Sequence, residues 1–188
     1  MVIPLSGETV SPLRAFAFGK LPTHGDFVMR GLSAEERDAW DVWASEGLER
    51  AKAEFGESFE DRHDAAPPVR FAFGPGPFGD GWKAGAITPS IDGAGRRFVI
   101  VVGARSADGL SPEGLGDQVA GAAEEEIYHA FQSSFGIDDL LISAQDAFDK
   151  LSSDDSAAAE GRFWSVDTPL EVLASQPPAD LLVRALSL

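Results

Sequence analysis

The sequence predicts an α+β fold: a single, mostly antiparallel β-sheet of about five strands flanked by helices. Three observations carry that expectation. Short segments that alternate large and small residues, or run continuously apolar, are bounded by Gly and Pro. Other segments repeat apolar residues every three or four positions, and these helical blocks follow the strands, with one late strand after them. Of the 188 residues 44% are hydrophobic, with 13 Phe and 4 Trp, enough to fill one sizeable core.

Residues 1–14 are expected to be an N-terminal arm and 15–188 a single domain. The first ten residues have no basic start and no long apolar run, so no signal peptide is expected. No stretch reaches the roughly 20 apolar residues that span a bilayer. Residues 15–19 alternate as a strand with one packed face. The loop from 19 to 32 follows, reading Gly-Lys-Leu-Pro-Thr-His-Gly-Asp-Phe-Val-Met-Arg-Gly-Leu. Ser33-Ala-Glu-Glu36 is a capping box. The helix behind it aligns Trp40, Trp43, Gly47, Leu48, Ala51 and Phe55 on one stripe. Two Trp one turn apart fit a core anchor or an aromatic binding platform. A short helical turn is expected over 59–62, ended by Pro67-Pro68, then a strand over 69–73 and a loop at Gly74-Pro-Gly-Pro77.

Residues 82–91 and 96–104 flank Asp92-Gly-Ala-Gly95, a β-hairpin pattern in which Gly supplies positive φ. Pro89 inside the first arm calls for an edge or a bulge there. The apolar run 98–102 predicts a central strand covered on both faces. Ser111-Pro112 predicts the N-cap and first position of a helix reaching about Phe135, closed by Gly136. On it Glu124-Glu-Glu126 reads as a solvated face, with Glu126 near the apolar stripe. Asp138 or Asp139 is expected to cap a further helix, 152–160 to form an exposed loop, and 161–166 the late strand. The tail from 168 is expected to hold one or two short helices, with Pro177-Pro178 before the last.

The charge excludes several function classes. With 31 acidic against 15 basic residues the net charge is −16. Such a chain repels nucleic-acid phosphates and anionic lipid, and a basic protein surface is its natural complement. The same excess also serves solubility. The absence of cysteine excludes disulfides and thiolate chemistry and fits a reducing compartment. The histidines, His24, His63 and His129, have no zinc-ligand spacing, and Asp138-Asp139 and Asp154-Asp155 have no EF-hand spacing. The 74–79 loop is Gly-rich, but its prolines remove the N–H donors that a phosphate cradle needs. No G-x-S-x-G occurs. No cofactor or metal is expected. His24 and Asp26 are the one pair with acid–base potential, and a loop Asp also serves to cap a turn. Arg96 and Arg97 fit either a bridge to Asp92 across the turn or an interface anchor.

Gly19-Lys-Leu-Pro-Thr-His-Gly-Asp-Phe27, with Arg30-Gly-Leu32, Trp40 and Trp43, resembles the opening of the TagF (ImpM) family, associated with bacterial type VI secretion. A second block, Trp82-Lys-Ala-Gly-Ala-Ile-Thr-Pro-Ser-Ile-Asp92 with Gly95-Arg96 and Phe98, resembles it too. So do Arg70-Phe71, Gly74-Pro-Gly76, Phe163-Trp164 and the Pro177-Pro178 tail, in unbroken order over about 15–188. The chain departs from the pattern at Phe59 and Val69, where the family usually has Trp, and at Val99, where it usually has Pro.

The resemblance implies the TagF domain alone, without the phosphatase domain fused to it in some relatives. It implies a cytoplasmic, non-catalytic, post-translational repressor of type VI secretion assembly. Such a repressor acts by binding a forkhead-associated (FHA) scaffold protein, independently of the threonine-phosphorylation route. The candidate partner-binding residues are His24, Asp26, Arg30, Asp92 and Arg96, on the 20–30 loop and the 92–97 hairpin tip. The same residues fit an internal role, holding the loop against the sheet by hydrogen bonds. The alternatives are a hydrolase-type enzyme built on His24 and Asp26, or a structural accessory subunit of the apparatus.

Overall fold

The computed structural model describes residues 12–152 and 160–188. Its strands are β1 (Arg14–Gly19), β2 (Val28–Arg30), β3 (Val69–Phe73), β4 (Trp82–Ile91), β5 (Arg97–Ser106), β6 (Arg162–Trp164) and β7 (Glu171–Leu173). The helices are α1 (Ala34–Phe55), α2 (Phe59–Ala65), α3 (Leu115–Ser133), α4 (Ile137–Phe148) and α5 (Leu181–Leu186). The strands form one sheet of order β2-β1-β5-β4-β3-β6-β7, with every pairing antiparallel. The α+β class is as expected, with seven strands rather than about five. The two additions, β2 and β7, have three residues each and lie at the sheet's edges, too short for an alternating pattern to register. Most of the expected N-terminal arm and of the 152–160 loop lies outside the described residues. Within the arm, Arg14 already belongs to β1.

Alternation along the strands sorts side chains onto two unlike faces. One face packs on α1, α2 and α5 and is aromatic: Phe16, Phe18, Phe71, Phe73 and Phe163 meet Trp40 and Trp43. Across the central strands, register aligns Phe16, Gly103, Gly85, Phe71 and Phe163 in one row. Trp40, fully buried, lies 6.4 Å from the Phe16 ring and 5.8 Å from that of Phe71. Gly85 and Gly103 sit between those two rings, and a Cβ on either would press on them, at 2.9 Å from Phe71 Cζ and 3.0 Å from Phe16 Cζ respectively. The tryptophans are therefore core; Trp43 also donates from Nε1 to the carbonyl of Pro178, 3.0 Å away.

The opposite face carries small side chains. Ala15, Ala104, Ala84 and Ala72 form a row across β1, β5, β4 and β3, facing α3 and its own Ala120 and Ala123. The run 98–102 in β5 is buried throughout, as a strand between two covered faces should be. Pro89 causes no bulge, since the β4–β5 register runs unbroken from Trp82 opposite Ser106 to Ile91 opposite Arg97. The carbonyl of Val99 accepts from the Lys20 amide on the β1 side. Pro89, opposite Val99, therefore turns its nitrogen the other way, past the last pair of β3 (Val69 opposite Ile87), where no ladder bond is lost.

The capping box forms as read: Ser33 Oγ accepts from the Glu36 amide at 3.1 Å and the Glu36 carboxylate accepts from the Ser33 amide at 2.8 Å. Other boundaries move. Ser111-Pro112 does not open α3. The Ser111 carbonyl accepts from Gly114 and Gly116 in a turn, and Gly114 is the N-cap. Ser134, in the left-handed conformation at φ 53°, closes α3, and Gly136 instead caps α4. Helix α2 runs three residues further than expected, to Ala65, and the tail holds β7 and a single helix. Of the expected solvated run, Glu125 is exposed, whereas Glu124 binds Arg70 Nε at 2.7 Å and Glu126 accepts from Ser143 Oγ.

Candidate partner-binding site

Gly19 ends β1 at φ 133°, and a Cβ there would stand 2.1 Å from the Val99 carbonyl oxygen. Only glycine lets the chain leave the sheet at that close approach. The loop that follows is clamped from two sides. On one side stands the β4–β5 hairpin tip. The Gly93 amide donates to the His24 carbonyl at 2.7 Å, Arg96 Nη2 to the Gly25 carbonyl at 2.9 Å, and Ser90 Oγ to the Lys20 carbonyl at 2.7 Å. On the other stands the start of α4. His24 Nε2 accepts from the Ile137 amide at 3.1 Å, Thr23 Oγ donates to the Phe135 carbonyl at 2.9 Å, and Arg30 Nε meets Asp138 Oδ1 at 2.7 Å.

Asp92 is the centre of the hairpin-side clamp. It is 1% exposed. Its Oδ1 accepts from the amides of Ala94 and Arg96, each at 2.9 Å, which builds the turn. Its Oδ2 accepts from Lys20 Nζ at 3.1 Å and Arg96 Nε at 2.6 Å. Burial pushes the carboxyl pKa up, but the bonds from the Arg96 backbone and side chain, from Lys20 and from Ala94 outweigh it. They hold the group well below the usual carboxylate range. Gly95, at φ 78°, supplies the positive φ that the turn pattern foretold. The bond from Arg30 likewise lowers the Asp138 pKa.

The structure thus brings the two expected loops together and divides the five candidate residues. Asp92 is inside, so its part in any contact is to hold Arg96 and the loop in place. His24, half-buried, caps the first turn of α4. Arg30 is exposed and bridged to Asp138. Asp26 is exposed and, among the described residues, makes no hydrogen bond or ion pair. Arg96, with a 63% exposed side chain, is anchored at Nε and Nη2. His24 and Asp26 share no hydrogen bond, and the ring nitrogen that a general base would use is engaged by Ile137.

Sequence reasoning did not single out Lys20, nor Asp138 as the partner of Arg30. Lys20 lies within the motif, so its position was visible. Its meeting with Asp92, 72 residues on, was not. Arg97 turns away from the tip to fork onto Asp64, at 2.9 and 2.7 Å, and to meet Glu60 at 3.0 Å. Among the described residues no cluster of three or more His, Asp or Glu could hold a metal ion. No described helix is long and apolar enough to cross a membrane.

Residues 17–146, which hold both loops and the helices α1 to α3 behind them, match the model of the TagF N-terminal domain, type VI secretion system-associated. The chain belongs to the TagF family. The TagF fold seen here is also that of the crystal structure of PA0076 from Pseudomonas aeruginosa PAO1. The two superpose with a TM-score of 0.72 over 92% of this chain and 93% of that one, at 22% identity. No curated protein matches the sequence significantly.

Proposed function

We propose that this TagF domain is a cytoplasmic, post-translational repressor of type VI secretion assembly that works without catalysis, by occupying the surface of a forkhead-associated scaffold protein. The observation that carries the reading is the fixed loop. Paired clamps hold it rigid, yet Asp26, Phe27 and the outer half of Arg96 remain at the surface. A rigid, exposed, mixed polar and aromatic patch suits recognition, because little ordering entropy is lost on docking. The His24–Asp26 geometry lends a hydrolase reading no support, because the two side chains are not joined. The test is capture of the purified scaffold protein from the same cell by this chain, followed by calorimetry. Binding at micromolar concentration or tighter is expected. No binding in that range refutes the proposal.

A further inference from the structure

The hairpin tip, the motif loop and the C-terminal end of α1 line an open cavity of about 730 Å³. Its floor is aromatic. Phe27 stands edge-on to Phe98 with centroids 4.6 Å apart and stacks at 6.0 Å on Phe18. Lys20 Nζ lies 4.9 Å from the Phe27 centroid and 5.6 Å from that of Phe98. Phe27 is nevertheless 48% exposed. A large ring, held in place by three neighbours and half open to water, contributes more as a docking surface than as packing.

The rim adds charge that the fold does not use up. Lys52 lines the cavity from the last turn of α1, its ammonium 5.5 Å from the Phe59 centroid. Among the described residues that ammonium makes no hydrogen bond or ion pair. Lys20 and Arg96 share the single carboxylate of Asp92, so that trio keeps one positive charge. Arg97 is spent on Asp64 and Glu60. Glu57 and Glu60, also on the cavity wall, oppose any polyanion. The fit is therefore to one carboxylate, directed at Lys52 and Arg96, beside one apolar side chain on Phe27.

We propose that this cavity recognises an acidic segment of the partner protein in which a Glu or Asp neighbours an apolar residue. The inference rests on the reading of the domain as a partner-binding repressor and names the chemistry that the contact requires. In a chain of net charge −16, attraction for an acidic segment requires a local gathering of cations, which Lys20, Lys52 and Arg96 provide here.

The test is an amide-resolved NMR titration of the full chain. The probe is a blocked dipeptide, glutamate followed by phenylalanine, with its lysine–phenylalanine counterpart as control. Expected are shifts confined to residues around Phe27, Lys52 and Gly95 that weaken as salt is raised. The control should give none. Lys52→Glu and Phe27→Ser, both at exposed positions, should each weaken the acidic peptide about tenfold. The melting temperature of Lys52→Glu should stay within about 2 °C of the parent, and that of Phe27→Ser, which also loses its contacts with Phe18 and Phe98, within about 6 °C. No shift with the acidic peptide at millimolar concentration, equal shifts with both peptides, or equal binding by the variants overturns the inference. So does a preference of the same residues for anionic vesicles or DNA. Scaffold capture separates the two ideas. If both variants capture the scaffold as well as the parent does, the cavity assignment fails and the repressor reading stands. If the acidic peptide occupies the cavity but no scaffold is captured, the cavity assignment stands and the repressor reading fails.

Discussion

Glu36→Gln tests how much of this fold hangs on one buried carboxylate. Glu36 is 6% exposed. It completes the α1 capping box and also meets Arg105 Nη1 at 3.3 Å and Lys83 Nζ at 3.7 Å. Lys83 is fully buried, and its other acceptor is the Asp80 carbonyl at 3.5 Å. A glutamine oxygen still accepts from the Ser33 amide, so the cap survives and the substitution isolates the charge. Removing one partner of a buried pair costs about 3–5 kcal/mol, because the remaining ion is left uncompensated. Arg105 and Asp80 nearby place this case at about 3 kcal/mol. For a chain of this size that is a fall in Tm of about 6–12 °C. Urea denaturation of the parent, Glu36→Gln, Lys83→Met and the double variant measures the coupling. The double variant should lie within about 1 kcal/mol of the parent. The penalty should also shrink with rising pH. Burial, opposed by Glu36, lowers the Lys83 pKa, so between the folded value and about 10.4 the unfolded chain binds more protons and stability rises with pH. A Glu36→Gln cost below about 1 kcal/mol, typical of an exposed pair, refutes the reasoning.

Three further outcomes follow from the clamps. Asp92→Asn removes a carboxylate whose folded pKa is depressed. Its contribution is complete above about pH 4 and fades as pH falls toward the folded value, so the Tm curves of parent and variant should converge in acid; parallel curves contradict the role of the charge. His24→Ala should cost about 1 kcal/mol, as a lost helix cap does, and should speed hydrogen exchange at Ile137 while leaving the β5 amides protected. Gly19→Ala places a Cβ 2.1 Å from a backbone oxygen, so instead of the gain of about 0.4–1 kcal/mol that alanine gives at a compatible glycine the variant should lose more than that, read as loss of soluble protein or of a cooperative melt.

Local patterns spelled out most of the scaffold, and contacts between distant segments supplied the rest. The Ser33 capping box, the Asp92–Gly95 turn and the apolar run of β5 each satisfy themselves within a few residues, so they could be read directly. The burial of Asp92 could not. An aspartate in an Asp-Gly turn ordinarily faces water, and this one is covered only because the loop after Gly19 folds over it. For the same reason the internal bond of His24 could not be read, because the start of α4, more than a hundred residues on, supplies the amide that its ring nitrogen accepts from. Ser111-Pro112 carried a helix-start pattern, but Gly114, three residues after Ser111, took the cap instead.

The unequal faces of the sheet imply unequal tolerance to change. Where alanines from strand and helix lie against one another, added methyl groups should force the layers apart, while trimming has almost nothing to remove. Around Trp40 the liability runs the other way. Loss of a ring opens a void that its rigid neighbours cannot fill, and Trp40→Ala should cost about 3–5 kcal/mol. Drift in this sequence is therefore constrained in opposite senses on its two sides, by crowding beneath α3 and by hollowing beneath α1.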